Sequence, residues 1–461
     1  MEFAQGGREG KCFCFIEQRV VYIGLKLYIC RLFTKLNNKV MIQEFKVKNF
    51  MSFKDEQVLS FEATKDTTSL EYLTYEVKPN VRLLKMAIIY GANASGKSNM
   101  LLAIQRMWEM LFHPKNNKEE KILFQPFALT LGDATEFSTV FYVNDIKYQY
   151  SISYNNKFIL YEKLEYAPNG ISSLFYSREF VGEDKIPAII FGGKLNLSAK
   201  SKNTLIDNTL NNHTLLSTFA KISVEAEPFK IVYDWIRDCV HEVPFKNRLL
   251  EITKTIANDA ERRDFILASL CKADFNITQI DLAEISNNIP NDMILKIKSN
   301  AFLSEEVKEQ FLKQTKEDVL FKHHTKDGDF SLRSIAESAG TLSYLTLLDE
   351  LFEMVSRNNI YLYDEIERNI HYDLLIHYLS LFMMNSQSSQ MIFTTHDQLL
   401  LDEDFIRRDM VWFTDKSKQT GGTEIYSAAD FGLHKNLSLY KAYKVGKLGA
   451  KPELGSIFID K

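Results

Sequence analysis

Hydrophobic and polar positions divide the chain into segments of different period. Residues 42–50 place apolar side chains among polar ones, which is typical of a strand, and the pattern resumes over 58–61 after a charged turn. The apolar run LLKMAIIY at 83–90 predicts a buried parallel strand. The turn GANASGKS follows at 91–98, and NMLLAIQRMWEML at 99–111 has helical spacing. The chain therefore has a strand, a glycine-rich turn and a helix in succession.

The rest of the chain alternates between strand-like and helical segments. Residues 136–166 are rich in β-branched and aromatic residues, which predicts an antiparallel meander. From about residue 195 to 318 the pattern becomes helical and charged, and no heptads are sustained, so a long coiled coil is not expected. A helix, a strand, a helix and another strand follow residue 331.

This order predicts an α/β fold with five segments. They are an N-terminal extension (1–40), the N-terminal part of a head domain (41–194), an inserted helical lid or arm (195–330), the C-terminal part of the head (331–434) and a basic tail (435–461).

Composition is that of an ordinary globular protein, with 45% hydrophobic and 25% charged residues. The formal net charge of −4 disfavours a broad surface that coats nucleic acid. The five cysteines have no metal-ligand spacing and resemble reduced thiols. The longest apolar run, Val20–Phe33, is interrupted by Lys26 and Arg31 and is shorter than the roughly 18 apolar residues of a membrane span. We therefore expect a cytoplasmic protein without a membrane partner.

The glycine-rich turn matches the Walker A pattern of P-loop proteins. Such a loop wraps phosphates with its N–H groups, and the N-terminus of the next helix adds a favourable dipole. Lys97 is expected to reach the β- and γ-phosphates of ATP, and the Ser98 hydroxyl to bind Mg²⁺. The expected nucleotide-binding residues are Gly91, Asn93, Ala94, Ser95, Gly96, Lys97, Ser98 and Asn99.

Two later apolar strands end in candidate catalytic residues. The run IYLY at 360–363 precedes Asp364 and Glu365, as in a Walker B motif. Asp364 is expected near the metal, and Glu365 can orient or deprotonate the attacking water. The run MIFTT at 391–395 precedes His396, at the position of the switch histidine of ABC ATPases. A lone histidine is often structural, but its place after Walker B favours a catalytic role.

Residues 337–341, ESAGT, open an amphipathic helix and allow two interpretations. Ser338 can be a helix N-cap, with Gly340 a permissive residue at the helix start. Alternatively, Ser338 and Gly340 belong to an ABC signature motif that contacts the γ-phosphate of ATP on a second subunit. Both interpretations can hold together.

Two weaker candidates complete the set. Gln125, which precedes Pro126, is a candidate Q-loop glutamine that would contact the metal. The tail carries lysines interleaved with Tyr440 and Tyr443, so it is either a solvated helix or a contact for nucleic acid or a partner. Those lysines are Lys435, Lys441, Lys444, Lys447 and Lys451.

Taken together, these motifs resemble AAA/ABC-like ATPases related to the overcoming-lysogenization-defect (OLD) family. The residues that carry the resemblance are NFMSF at 49–53, GANASGKSN, ESAGT, YLYDEIE, TTHD and YKAYKVGKLGAKPEL at 440–454. The chain is most similar to short, stand-alone members such as the RloA-like ATPases and the AriA ATPase subunit of the PARIS anti-phage system. The resemblance implies an ATP-driven homodimer or higher oligomer and a role in bacterial defence.

The resemblance also implies a separate effector. OLD nucleases carry a TOPRIM domain after the ATPase, but only about 65 residues follow His396, so a TOPRIM-type or HNH-type nuclease is expected as another protein. Glu367 is the alternative to Glu365 as the catalytic carboxylate. The rival hypotheses are a RecF-like repair ATPase that binds DNA and a housekeeping ATPase without a partner.

Overall fold

The computed structural model describes residues 40–237, 239–242, 248–286, 291–300, 303–305, 308, 315–434 and 437–452. The expected N-terminal extension, apart from Val40, and the tail residue Lys435 lie outside the described residues. The chain forms two compact units. The first comprises the described parts of Met1–Val243, Met354–Ile366 and Phe382–Lys461, and the second those of Pro244–Glu353 and Glu367–Leu381. No helix among the described residues is long and apolar enough to cross a membrane.

A seven-stranded antiparallel sheet forms one layer of the first unit. Its strands lie in the order β10-β9-β8-β7-β6-β1-β2. They are β1 (Val40–Lys48), β2 (Gln57–Ser60), β6 (Thr135–Val143), β7 (Ile146–Tyr154), β8 (Ile159–Ala167), β9 (Ser173–Glu179) and β10 (Ala188–Phe191). The turn between β6 and β7 uses Asn144 and Asp145, both with positive φ as a two-residue hairpin requires. The meander predicted over 136–166 is confirmed and continues to Phe191.

A six-stranded sheet forms the other layer, in the order β11-β15-β16-β5-β17-β18. Its strands are β5 (Met86–Gly91), β11 (Val240–Glu242), β15 (Ile360–Tyr363), β16 (Gln390–Thr394), β17 (Val411–Lys416) and β18 (Thr423–Ser427). All pairs are parallel except β17 with β18. Every residue of β5, β15 and β16 is buried, which explains their continuous apolar runs. The carboxyl ends of these three strands therefore meet at one edge.

Helices and a small hairpin complete the first unit. The hairpin pairs β3 (Thr74–Lys78) with β4 (Val81–Leu84). The helices are α1 (Leu70–Leu73), α2 (Lys97–Phe112), α3 (Ala199–Asn208), α4 (Leu215–Lys221), α5 (Glu227–Arg237) and α11 (Leu439–Lys444). Parallel strands combined with helices confirm the predicted α/β class.

The second unit corrects the prediction of a wholly helical lid over 195–330. It contains a three-stranded antiparallel sheet of β12 (Ile277–Ser286), β13 (Thr315–Thr325) and β14 (Gly328–Arg333). Ile277 and Ile280 of β12 and Val319 and Phe321 of β13 are buried. These strands are stabilised by pairing between distant segments, which a local helical pattern does not reveal. The helical prediction is therefore wrong for β12 and β13.

The chain forms helices before, between and after these strands. The boundaries of the two compact units differ from the predicted segment boundaries. The described helices are α6 (Leu249–Asn258), α7 (Ala260–Lys272), α8 (Asn291–Ser299), α9 (Ala339–Arg357) and α10 (Tyr372–Asn385), of which α9 and α10 continue into the first unit. Residues 195–243 lie in the first unit, whereas 331–353 and 367–381 lie in the second. The segment boundaries at 195 and 331 thus differ from those of the compact units.

Candidate nucleotide site

The loop between β5 and α2 has a backbone that only small residues allow. Gly96 has φ 110° and Ala94 has φ 62°, so the chain turns sharply before Lys97 begins the helix. A Cβ on Gly96 would lie 2.5 Å from Thr423 Oγ1 and 2.8 Å from Ser52 Oγ. A Cβ on Gly91 would collide with Thr414. Both glycines therefore permit a loop that is closely packed on its inner side.

The outer side of the loop is accessible, whereas its lysine is enclosed. Asn93 and Ala94 are exposed, and Ser95 is buried. Lys97 is only 6% exposed, and its Nζ donates to the carbonyl oxygens of Gly91 at 3.0 Å and Ala92 at 3.1 Å. The ammonium group thus lies within the curve of the loop, where P-loop proteins place the charge that contacts phosphates.

Ser98 connects the P-loop helix to the Walker B strand. Its Oγ donates to Asp364 Oδ1 at 2.9 Å and to Oδ2 at 2.8 Å. The Thr394 hydroxyl donates to Asp364 Oδ1 at 2.6 Å and accepts from the Glu365 N–H at 2.8 Å. Three neighbouring strands thus place a hydroxyl and a carboxylate in direct contact, as their parallel arrangement predicts.

The two predicted catalytic residues, Glu365 and His396, lie close to each other. His396 Nε2 is 3.5 Å from Glu365 Oε1, and both side chains are about half exposed. Glu365 has φ 53°, an unusual conformation for a residue with a side chain, and the hydrogen bond from its N–H to Thr394 supports it. The structure therefore brings the two predicted catalytic residues together. Glu367, the alternative carboxylate, belongs to the second unit.

Two threonines of β17 and β18 support the loop, and a serine of the turn after β1 supports the helix that follows it. Thr414 Oγ1 is 2.6 Å from Ser95 Oγ, and Thr423 Oγ1 donates to the Ser95 carbonyl at 2.7 Å. Asn99, a predicted site residue, donates to Ser52 Oγ at 2.7 Å. Its side chain thus fixes the start of α2 against the turn that follows β1.

Gln125, the candidate Q-loop glutamine, contacts the turn that follows β1 through its backbone. The Met51 N–H donates to the Gln125 carbonyl at 2.7 Å, and Gln125 is exposed. Met51 is next to Ser52, which contacts the P-loop helix through Asn99. The Gln125 backbone therefore lies one residue away from a P-loop contact.

Ser338 and Gly340 lie in the second unit, at the start of α9. Ser338 Oγ accepts from the Thr341 N–H at 3.0 Å, which confirms the N-cap interpretation. A Cβ on Gly340 would lie 2.8 Å from the Asn369 carbonyl, so a glycine is required by close approach of the backbone. The hydroxyl and the helix N-terminus together could bind an anion.

The C-terminal segment Ser438–Ala450, which is part of the predicted basic tail, is not a solvated helix on all sides. Leu439, Ala442 and Tyr443 of α11 are buried. Lys441, Lys444 and Lys447 are exposed, and Lys451 is partly exposed. The segment therefore has an apolar inner side and a basic outer side.

Four supporting residues were not predicted as site residues, although Asn49 and Thr394 stand in the motifs NFMSF and TTHD. They are Asn49, Thr394, Thr414 and Thr423. Thr394 stands inside the apolar run before His396, and a polar residue in an otherwise buried strand was the available clue. Thr414 and Thr423 have no such pattern.

The donor set fits MgATP. Serine hydroxyl and carboxylate oxygens are ligands that Mg²⁺ accepts, and Ser98 and Asp364 hold such atoms side by side. The Lys97 ammonium and the loop N–H groups suit phosphate oxygens. Gly91 and Gly96 let the loop pack against Thr414 and Thr423, while Asn93 and Ala94 on its other side remain accessible. The loop can therefore hold the phosphates, and Ser98 with Asp364 the metal.

Comparisons with known proteins give one family and several distant structures. The family model described as "AAA domain, putative AbiEii toxin, Type IV TA system" matches residues 86–402. No curated protein matches the chain. An SMC head domain from Thermotoga maritima has 12% identity and a TM-score of 0.37, covering 84% of this chain and 98% of its own. An Smc head domain with a coiled coil and joint from Pyrococcus yayanosii has 11% identity and a TM-score of 0.38, covering 89% and 100%.

The family match spans the strand before the P-loop, the inserted unit, the Walker B strand and the histidine strand. It covers more than half of the chain, and it contains the residues that the structure gathers around Ser98 and Asp364. The protein therefore belongs to the AAA domain family described as putative AbiEii toxin, Type IV TA system.

Proposed function

We propose that this protein binds MgATP at the loop Gly91–Ser98 and hydrolyses it. The observation that carries the proposal is the linked set of contacts from Ser98 through Asp364 and Thr394 to Glu365, with His396 beside it. Bound MgATP supplies the phosphoanhydride bond and the metal charge that polarises it. Lys97 neutralises phosphate charge, and Ser98 and Asp364 hold the metal.

Glu365 is the general base of this proposal. One of its Oε atoms accepts a proton from the attacking water, and His396 orients the carboxylate from 3.5 Å. Both side chains are half exposed, so water has access to them. Thr394 fixes the Glu365 backbone and keeps the carboxylate at the end of its strand.

Two copies of the chain would enclose the nucleotide. In this arrangement, Ser338 and Gly340 of one copy would contact ATP held by the P-loop of the other. The alternative is a higher oligomer in which such dimers assemble through a different surface. The support is chemical: α9 begins with a serine hydroxyl and a close-packed glycine, and a helix N-terminus favours anions.

The proposed cellular role is that of sensor or scaffold in a bacterial anti-phage defence system. ATP binding would hold a separate effector, such as a TOPRIM-type or HNH-type nuclease, and hydrolysis or a phage signal would release it. The support is the resemblance to the RloA-like and AriA ATPases, together with a family description that names a toxin–antitoxin system. The expected setting is the bacterial cytoplasm.

A RecF-like DNA-binding ATPase is the second candidate. Its support is the basic outer side of the C-terminal segment, where Lys441, Lys444 and Lys447 are exposed. Contacts of lysines with phosphates would make the affinity for DNA fall steeply as salt increases.

The test is purification of Glu365→Gln from its native operon in MgATP, followed by native mass measurement. The variant keeps the shape of the side chain but removes the base, so it is expected to bind ATP, stall as a dimer and retain an effector in fixed ratio. Lys97→Ala is expected to lose nucleotide and the dimer. Glu367→Gln is the matched control and should hydrolyse ATP like the wild type.

Each alternative result changes a different part of the proposal. Wild-type turnover by Glu365→Gln, with loss in Glu367→Gln, would move the base to Glu367. A stalled dimer that carries DNA and no effector would favour the RecF-like function. Absence of ATPase activity in the wild type with all copurified partners would refute hydrolysis.

A further inference from the structure

The C-terminal segment Ser438–Ala450 packs against the strands that carry the nucleotide site. Tyr443 is 4% exposed. Its ring stacks on Phe413 of β17, with centroids 5.3 Å apart and planes at 21°, and lies 6.0 Å from the ring of Tyr90. Tyr90 is the residue of β5 that directly precedes Gly91. The segment therefore reaches the base of the P-loop.

Tyr90 connects this packing to residues 395–397, which follow β16 and include His396. Its hydroxyl donates to the Asp397 carbonyl at 3.0 Å. Asp397 follows His396 directly, and its N–H donates to Thr395 Oγ1 at 3.0 Å. A displacement of the Tyr90 ring would therefore move the backbone on the carboxyl side of His396.

Both ends of the C-terminal segment are also fixed. At its start, Ser438 Oγ donates to Asp402 Oδ1 at 2.7 Å, at the end of the 3-10 helix Leu399–Asp402 that follows His396. At its end, the Tyr443 hydroxyl donates to the Ala450 carbonyl at 3.1 Å, and the Tyr426 hydroxyl donates to the Leu448 carbonyl at 3.0 Å. Burial raises the pKa of Tyr443, with a further contribution from Asp415, so its hydroxyl remains a donor.

We propose that Tyr90 and Tyr443 are positioning residues for His396, and that the C-terminal segment controls hydrolysis through them. The inference rests on the proposed catalytic role of His396. Tyr443 holds the Tyr90 ring, Tyr90 holds the Asp397 carbonyl, and this carbonyl limits the movement of the His396 backbone. The Tyr90 hydroxyl donates to the Asp397 carbonyl and the Tyr443 hydroxyl to the Ala450 carbonyl, so the effect falls on turnover more than on ATP affinity.

The first test is Tyr90→Phe, which removes the hydrogen bond and keeps the ring in place. A net hydrogen bond of about 1 kcal/mol corresponds to roughly a fivefold fall in kcat, and KM for ATP should stay within about twofold. Tyr443→Ala should lower kcat further, and Tyr443→Phe, which keeps the stacking, should restore most of the loss. Tyr440→Ala on the same helix is the matched control, because Tyr440 is partly exposed and lies over Lys444.

A second readout separates this inference from the hydrolysis proposal. The Leu399 N–H donates to Asp397 Oδ1 at 2.9 Å. Amide hydrogen exchange at Asp397 and Leu399 should therefore be faster in Tyr90→Phe and Tyr443→Ala than in the wild type, with or without ATPase activity. Unchanged exchange in both variants would overturn the positioning role. A wild type without ATPase activity but with faster exchange in the variants would keep the structural connection and refute hydrolysis alone. Equal losses of kcat in Tyr443→Ala and Tyr440→Ala would also overturn the positioning role of Tyr443.

Discussion

Asn49 is the clearest place to test how one side chain holds the segment that carries Gln125. The Asn49 side chain is 2% exposed and makes five hydrogen bonds. Its Nδ2 carries two hydrogens and lies 2.8–3.2 Å from the carbonyl oxygens of Thr130, Asp133 and Ala134, so two of these three contacts share one hydrogen. Its Oδ1 accepts from the Phe127 N–H and from the Thr130 hydroxyl. Asn49→Ala removes all five at once.

The expected loss of stability has two parts. Asn49 has φ 49°, and alanine in this left-handed region costs about 1 kcal/mol more than asparagine. Four hydrogens take part in these five contacts, and at about 0.5–1 kcal/mol each they add roughly 3 kcal/mol. The free energy of unfolding of Asn49→Ala should therefore fall by about 4 kcal/mol.

Asn80 offers a matched control for the backbone part. It has φ 67° and is exposed in the turn between β3 and β4, so Asn80→Ala should lose only about 1 kcal/mol. Urea unfolding measures both variants, and amide exchange should rise across Phe127–Ala134 in Asn49→Ala alone. Equal losses of stability in the two variants, or unchanged exchange in that segment, would refute the role assigned to the five hydrogen bonds.

Three further substitutions test other contacts. Thr394→Val removes the hydroxyl from Asp364, so kcat should fall about tenfold or more while ATP affinity measured by calorimetry changes less; an equal loss of both would refute this role. Gly340→Ala places a Cβ against the Asn369 carbonyl and should lower the free energy of unfolding by about 1–3 kcal/mol in urea, whereas a gain would exclude the clash. Burial lowers the pKa of His213 from 6.5 to about 4, so this group stabilises the fold fully above pH 6.5 and loses up to about 3 kcal/mol as the pH falls to 4. Between pH 4 and 6.5, the free energy of unfolding measured with urea should depend less on pH in His213→Gln than in the wild type. An equal pH dependence in both proteins would refute the role assigned to His213.

The parts of the site that the sequence predicted depend on local order. A buried strand, a glycine-rich turn and a helix are consecutive, so the P-loop was recognisable from Gly91–Ser98 alone. The Walker B and histidine strands were also predictable, because apolar strands of a parallel sheet bring their carboxyl ends to one edge. The contact of Ser98 with Asp364 follows from that arrangement.

The parts that sequence analysis missed depend on contacts between distant residues. Thr423 bonds to the carbonyl of Ser95, 328 positions away in the chain. The strands β12 and β13 pair with each other, although a helix lies between them in the sequence. Both strands are charged and poor in glycine, and the sequence around them therefore resembled a series of helices. Neither a hydroxyl on a strand nor a charged amphipathic strand has a local pattern that identifies its partner.

The C-terminal segment extends this argument to two residues of the same type. Tyr440 and Tyr443 are three positions apart on one short helix, yet Tyr443 is buried against Phe413 while Tyr440 remains partly exposed beside Lys444. Composition and spacing make them equivalent, and a basic segment with aromatic residues suggests a surface for nucleic acid. The packing separates the roles: the lysines face outward, where an anionic partner could bind, and Tyr443 faces the strand before the P-loop. A partner that displaced the segment would act on the His396 backbone through Tyr443 and Tyr90, without any contact with the nucleotide.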